Sequence, residues 1–200
     1  MSTVFEIPKL PSSLVLSPPL TDEEFENLCA INEQVQLERT REGMIVVNAP
    51  VGASTSDGNR EIIHQLSTWW KTHRRGRVFD SSAGFFLPDG SSLSPDAAYV
   101  TPDQLKTVTR EEFQHFLHLA PAFVIELLSY SDRLPKAQEK MQCWISNGTK
   151  LGWLVDPYNR CVYIHEAGST PRTENGIHAT GTGPAQGFVL DLAEVWSCYE

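Results

Sequence analysis

No stretch of this chain approaches the ~20 consecutive apolar residues that a membrane helix needs, so no membrane span is expected. No basic segment followed by an apolar one opens the chain, and no secretory signal is expected. Cysteine is scarce: Cys29, Cys143, Cys161 and Cys198 are scattered and form no C-x-x-C pair. That spacing argues against a zinc site or a disulfide frame, and reduced thiols suit a cytoplasmic protein. Positive charge is also short, with 16 Lys and Arg against 25 Asp and Glu and a net charge of −9. Such a chain does not coat nucleic acid through bulk charge, which leaves only a local patch acting with a metal. There is no G-x-S-x-G elbow, and no Cys–His pairing follows from spacing, so a Ser or Cys nucleophile finds little support. No internal repeat is visible.

What remains is an ordinary globular composition, with 40% hydrophobic and 20% charged residues over 200 positions. That length suits one domain with a full core. Residues 1–20 carry Pro8, Pro11, Pro18 and Pro19 and read as an extended arm. Residues 21–200 read as a single domain. Thr21-Asp22-Glu23-Glu24 has the capping-box pattern and opens a short helix bearing Phe25, Leu28 and Ile31. Residues 35–41 and 44–48 form a hairpin around Glu42-Gly43, with Glu38 as an exposed carboxylate on its first arm. The arm and the hairpin are candidate surfaces for a homodimer.

A polar loop over 50–58 precedes a helix over 59–75 that ends at Gly76, with Ile62, Ile63, Leu66, Trp69 and Trp70 as its apolar face. Lys71, Arg74, Arg75 and Arg77 cluster near its end, where they suit the helix dipole. Short strands follow over 77–80, 84–87 and 96–100, with Pro88-Asp89-Gly90 as a turn. His115 and His118 have metal-ligand spacing but no third ligand nearby, and read as exposed surface. Residues 166–187 read as a loop rich in Gly, Thr and Pro, before a closing strand and a short helix.

The informative stretch is 123–128, Phe-Val-Ile-Glu-Leu-Leu, which has the pattern of a strand buried on both faces. A carboxylate inside such a strand is costly unless a cation, a hydrogen-bond network or a metal answers it. Glu126 therefore demands a partner. A helix over 134–147 follows, with Ala137, Met141, Trp144 and Ile145 as its buried stripe. At ~100° per residue Lys140 lies roughly 85° from the stripe centre, a boundary position from which its amine can reach the end of a neighbouring strand. Asp96, directly after Pro95, opens another strand. Two carboxylates on neighbouring strands can hold Mg²⁺, which prefers oxygen ligands and keeps several waters. With a lysine beside them they supply what phosphodiester hydrolysis requires.

The segments Gly84-Phe-Phe-Leu-Pro88, Ser94-Pro-Asp-Ala-Ala-Tyr-Val100, Phe123-Val-Ile-Glu126 with Ser129 and Ser131-Asp132, Gln138-Glu-Lys-Met141, and Asn147-Gly148 with Leu151-Gly-Trp-Leu-Val-Asp-Pro157 together resemble the bacterial restriction endonuclease family within the PD-(D/E)XK nuclease superfamily. The resemblance spans roughly residues 22–196. It implies an α/β (α+β) restriction-endonuclease-like fold, a mixed β-sheet flanked by helices, with an N-terminal helix and hairpin added. It implies Mg²⁺ (or Mn²⁺) held by Asp96, Glu126 and the Leu127 carbonyl, DNA as substrate, and Glu38 as a further acid. The superfamily's lysine two residues past the acid is replaced by Leu128 here. Related families move that lysine to the following helix, which makes Lys140 the counterpart. A nuclease fold that binds or regulates without cutting is the alternative that Leu128 and the acidic composition leave open.

Overall fold

A computed structural model describes residues 13–17 and 19–200 of the chain. Pro8, Pro11 and Pro18 of the expected arm lie outside them. In chain order the elements are β1 (Ser13–Val15), α1 (Asp22–Ile31), β2 (Gln36–Arg39), β3 (Met44–Asn48), α2 (Ala53–His73), β4 (Arg77–Asp80), β5 (Phe85–Phe86), β6 (Ser92–Leu93), β7 (Ala97–Val100) and α3 (Pro102–Leu105). Then come β8 (Phe123–Leu127), α4 (Leu134–Ser146), β9 (Leu151–Asp156), β10 (Cys161–Glu166), β11 (Arg172–Asn175), β12 (His178–Thr180), β13 (Val189–Asp191) and α5 (Leu192–Ser197). Among the described residues no helix is long and apolar enough to cross a membrane.

The main sheet has six strands in the order β11-β10-β9-β8-β7-β4. Its neighbours are antiparallel except β8 and β9, which run parallel because α4 carries the chain back between them. Side chains of β8 alternate between the two faces. Phe123, Ile125 and Leu127 join a core with Ile62 and Leu66 of α2, Trp153 of β9, and Val195 and Trp196 of α5. Val124 belongs to the opposite core, with Met141 and Trp144 of α4, Phe85 and Leu154. Glu126 shares the parity of Val124, so its carboxylate is directed at α4.

A second, five-stranded sheet has the order β1-β3-β2-β6-β5. Phe25 of α1 packs there with Leu37, Ile45 and Phe86. The Thr21 capping box is formed, with the Thr21 side chain accepting from the Glu24 N–H. Buried Arg39 ties the sheet to the chain around it. Its guanidinium pairs with Asp22, donates to the carbonyls of Leu20 (2.9 Å) and Gly90 (3.1 Å), and lies over the rings of Phe25 and Phe86.

Two boundaries differ from the sequence reading. Helix α2 starts at Ala53, inside the expected polar loop. Its Ser- and Thr-rich first turns have modest helix propensity, but Thr55 and Gly58 are buried by tertiary packing. A Cβ on Gly58 would stand 2.9 Å from Leu127 Cδ2 and 3.1 Å from the Tyr199 ring, so any larger residue would have to displace these side chains where the helix approaches β8. The expected loop over 166–187 contains β11, which pairs antiparallel with β10 from Cys161↔Asn175 to Ile164↔Arg172, and β12, which pairs with β13. β11 reads Arg-Thr-Glu-Asn, an edge strand in contact with water, and so lacks the apolar alternation that marks a strand.

His165 of β10 is buried, and neither ring nitrogen has a hydrogen-bond partner. Burial holds its pKa below the usual histidine value of 6.5. The folded state therefore binds fewer protons than the unfolded state near that pH. The contribution of His165 to stability therefore falls as pH drops below about 6.5, by at most ~1.4 kcal/mol per unit. In urea melts across that range, the stability of the native chain relative to His165→Phe should fall with that slope as pH drops.

Candidate active site

The register Ala97↔Ile125 between β7 and β8, carried one residue outward, sets Asp96 against Glu126 and Leu127. The backbone confirms the juxtaposition, because Leu127 N–H donates to Asp96 Oδ2 at 2.7 Å. Asp96 Oδ1 accepts from Asn59 Nδ2 of α2 at 2.9 Å. The other amide atom, Asn59 Oδ1, is buried with no partner.

Glu126 faces α4. Its Oε1 accepts from the Trp144 indole N–H at 2.8 Å. One turn earlier on the helix, Lys140 Nζ stands 3.0 Å from Glu126 Oε1 and 2.9 Å from Glu38 Oε1, and donates to the Ser94 carbonyl at 2.9 Å. The boundary position read from helical periodicity thus brings the amine onto the strand that carries Glu126. Leu128 is buried in the apolar cluster that contains Met141 and Trp144.

Glu38 departs from its exposed reading. It lies buried on β2, where Oε1 accepts from Ser94 N–H at 3.0 Å and Oε2 from Asn48 Nδ2 at 3.2 Å. The second sheet therefore delivers an acid to the site of the first. His115 and His118 converge on nothing: each is exposed and pairs separately, with Glu26 and Asp22, at 3.2 Å.

Three carboxylates, Asp96, Glu126 and Glu38, share one ammonium. Burial is the largest influence on Glu126 and pushes its carboxyl up to about 8, with repulsion from Asp96 and Glu38 adding to it and Lys140 opposing. Burial likewise raises Asp96, although the Leu127 N–H, Lys140 and Asn59 pull the other way. Burial alone would lower the Lys140 amine, but Glu126 and Glu38 outweigh it and hold the amine above its ordinary value. Lys140 is therefore a cation at neutral pH and acts as a donor, not as a base.

This donor set fits a hard divalent cation. It offers oxygen ligands, three carboxyl groups that a cation would favour in their ionised form, and an unpartnered amide oxygen beside Asp96. Among the described residues no group of three His, Cys, Asp or Glu forms a ready-made cage. Mg²⁺ does not need one, since it is commonly held by one or two carboxylates and retains water. Sequence reasoning missed Asn59, Trp144 Nε1–H and the Ser94 carbonyl as members of this cluster. Their partners lie 37, 18 and 46 positions away, and no local pattern marks such pairs.

A family model described as "Uma2: Putative restriction endonuclease" matches residues 22–192. The chain belongs to the Uma2 family. The matched Uma2 region contains all of the residues just described, from Glu38 to Trp144. The mixed sheet flanked by helices agrees with the fold expected from sequence. A solved structure described as "a putative nuclease belonging to DUF820", from Anabaena variabilis, is similar with a TM-score of 0.71 and 20% identity. That similarity covers 91% of this chain and 100% of the other. At such identity the likeness concerns the fold of this Uma2 chain. No match is found among curated proteins.

Proposed function

We propose that the chain is a Mg²⁺-dependent endonuclease that hydrolyses DNA phosphodiester bonds. The observation that carries this reading is the Lys140 ammonium held between Glu126 and Glu38, with Asp96 at the adjoining strand end. Asp96 and Glu126 would hold the metal, with the Leu127 carbonyl as a further oxygen. When bound, Mg²⁺ supplies Lewis acidity and lowers the pKa of water.

The chain's own residues do the rest. Trp144 fixes the Glu126 carboxylate through its indole N–H. Asn59 and the Leu127 N–H fix Asp96. Glu38 and the Ser94 carbonyl hold Lys140 in place, so its remaining positive field is directed at the negative charge that grows on phosphorus-bound oxygens in the transition state. The protein need not reorganise to do this, since every one of these donors is already paired in the fold.

The alternative, a nuclease fold that binds without cutting, draws on the fact that Lys140 already answers Glu126. It predicts no saturable divalent-ion binding. Calorimetric titration with Mn²⁺ separates the two readings. A saturable isotherm that disappears in Asp96→Ala is expected. A flat wild-type isotherm, together with no metal-dependent cleavage of single-stranded, linear or supercoiled DNA, would favour the binding module.

A further inference from the structure

The strand ends that carry Glu126 and Leu127 lead outward into a row of tyrosines. Tyr130, four residues past Glu126, is 91% exposed. Its ring centroid lies 6.3 Å from that of Tyr158, in the turn after β9, and Tyr158 lies 5.6 Å from Tyr199. Tyr199 is at the lip of the site. Its ring and Leu127 Cδ2 both border Gly58, whose neighbour Asn59 holds Asp96.

The row is built rather than incidental. Asp156 Oδ1 accepts the N–H groups of Tyr158 (3.1 Å) and Asn159 (3.0 Å), and Asn159 Nδ2 closes the turn on Asp156 Oδ2 at 2.8 Å. Arg160 completes that turn in the left-handed region at φ 50°, and pairs with Glu200 at 2.9 Å beside Tyr199. The loop bearing Tyr130 is fixed by Ser129 N–H donating to Asp132 Oδ2 at 2.8 Å. Both neighbouring pairs meet edge to face, at 67° and 80°, so the rings do not stack on one another.

Two cations follow Tyr130 closely in the chain. Arg133 and Lys136 are exposed and form no ion pair among the described residues. Lys136 lies one helical turn before Lys140 on α4. In a chain of net charge −9, few phosphate contacts are to be had, and the affinity of a duplex rests largely on such contacts. Stacking on aromatic rings needs no bulk charge and is indifferent to sequence. It does need an open base face, and a paired duplex keeps its base faces within the stack.

We propose that Tyr130 and Tyr158 form a stacking platform for unpaired bases, with Arg133 and Lys136 on the backbone, so that the site takes DNA presenting a single-stranded segment. The identity of the ligand as DNA rests on the nuclease reading above, whereas the platform itself rests on the tyrosine geometry.

Fluorescence anisotropy with the full chain tests this, using a short fluorescein-labelled single strand and a blunt duplex of the same sequence in divalent-free buffer, where no strand is cut. The single strand is expected to bind tighter. Tyr130→Ala should weaken it by about tenfold, with Tyr130→Phe restoring it and duplex binding unmoved. Tyr130 is too exposed for its loss to unfold the chain, and an unchanged melt would verify that. Equal strand binding by Tyr130→Ala, or a preference for duplex, would overturn the proposal. So would a homodimer that Tyr130→Ala dissociates in sedimentation, since the row would then be an interface between copies. Strand binding that depends on Tyr130, with no metal-dependent cleavage, would uphold the platform and overturn the nuclease reading instead.

Discussion

Glu126→Gln is expected to cost roughly 10²–10³-fold or more in metal-dependent DNA cleavage, while leaving the chain folded and changing how its stability depends on pH. The substitution keeps size, shape and an acceptor for the Trp144 indole N–H (2.8 Å in the native site), removes the capacity to carry charge, and puts an amide N–H where Oε2 accepts from Lys140 Nζ at 3.1 Å. The sign of the pH effect follows from burial. In the fold the Glu126 carboxyl is pushed up to about 8 from an ordinary 4.5. Between those values the folded state binds more protons than the unfolded state. The contribution of Glu126 to stability therefore declines as pH rises from 4.5 towards 8, by at most ~1.4 kcal/mol per unit. The amide introduced by Glu126→Gln cannot ionise, so in urea melts from mildly acidic to mildly alkaline pH the stability of the native chain relative to the variant should decline as pH rises. Mg²⁺ should lessen that decline too, because a cation favours the ionised carboxylate. Undiminished cleavage by Glu126→Gln would remove Glu126 from the proposed chemistry.

Lys140→Met carries the second large effect, on stability and activity together. Lys140 is the cation that answers Glu126 at 3.0 Å and Glu38 at 2.9 Å, and both acids are buried. Removing one member of a buried charge cluster costs ~3–5 kcal/mol, because the charges left behind have no counterion. The Lys140 side chain keeps 25% of its surface exposed, and water there should place the loss at the lower end of that range. Cleavage should fall by about 10²–10³-fold with the loss of the positive donor. The double variant Lys140→Met, Glu38→Gln removes one orphaned charge and should recover part of the stability without recovering cleavage. Thermal melts and a cleavage assay on the two variants separate the roles. Full stability in Lys140→Met would show that the cluster does not depend on this ammonium.

The residues that announced the site in the sequence did so by breaking a local rule. Glu126 is a charge in a doubly buried strand, and Lys140 sits at the margin of an apolar stripe. Each is visible because strand and helix periodicities are strict and the exceptions stand out. The capping box at Thr21 was legible for the same reason, since its chemistry is complete within four residues. Glu38 was not. Its alternation on β2 is that of an ordinary edge carboxylate, and its burial arises only when β2 meets Ser94 and α4. Asn59 was read as the first residue of its helix, but its partner Asp96 stands 37 positions on, just before β7. Buried polar pairs between distant elements leave no periodic trace, so the far half of each such pair had to come from the structure.

Glu38 belongs to the five-stranded sheet, whereas Asp96, Glu126 and Lys140 belong to the six-stranded unit. The centre is therefore closed by two pieces of the fold that need not open together. Small units of this kind detach as separate foldons with their own opening free energies, and amide hydrogen exchange resolves them. Each excursion of the smaller sheet would withdraw Glu38 from Lys140 and free the amine of one of its two carboxylate partners. Exchange rates on β2 and β3 would then report how often the amine is released.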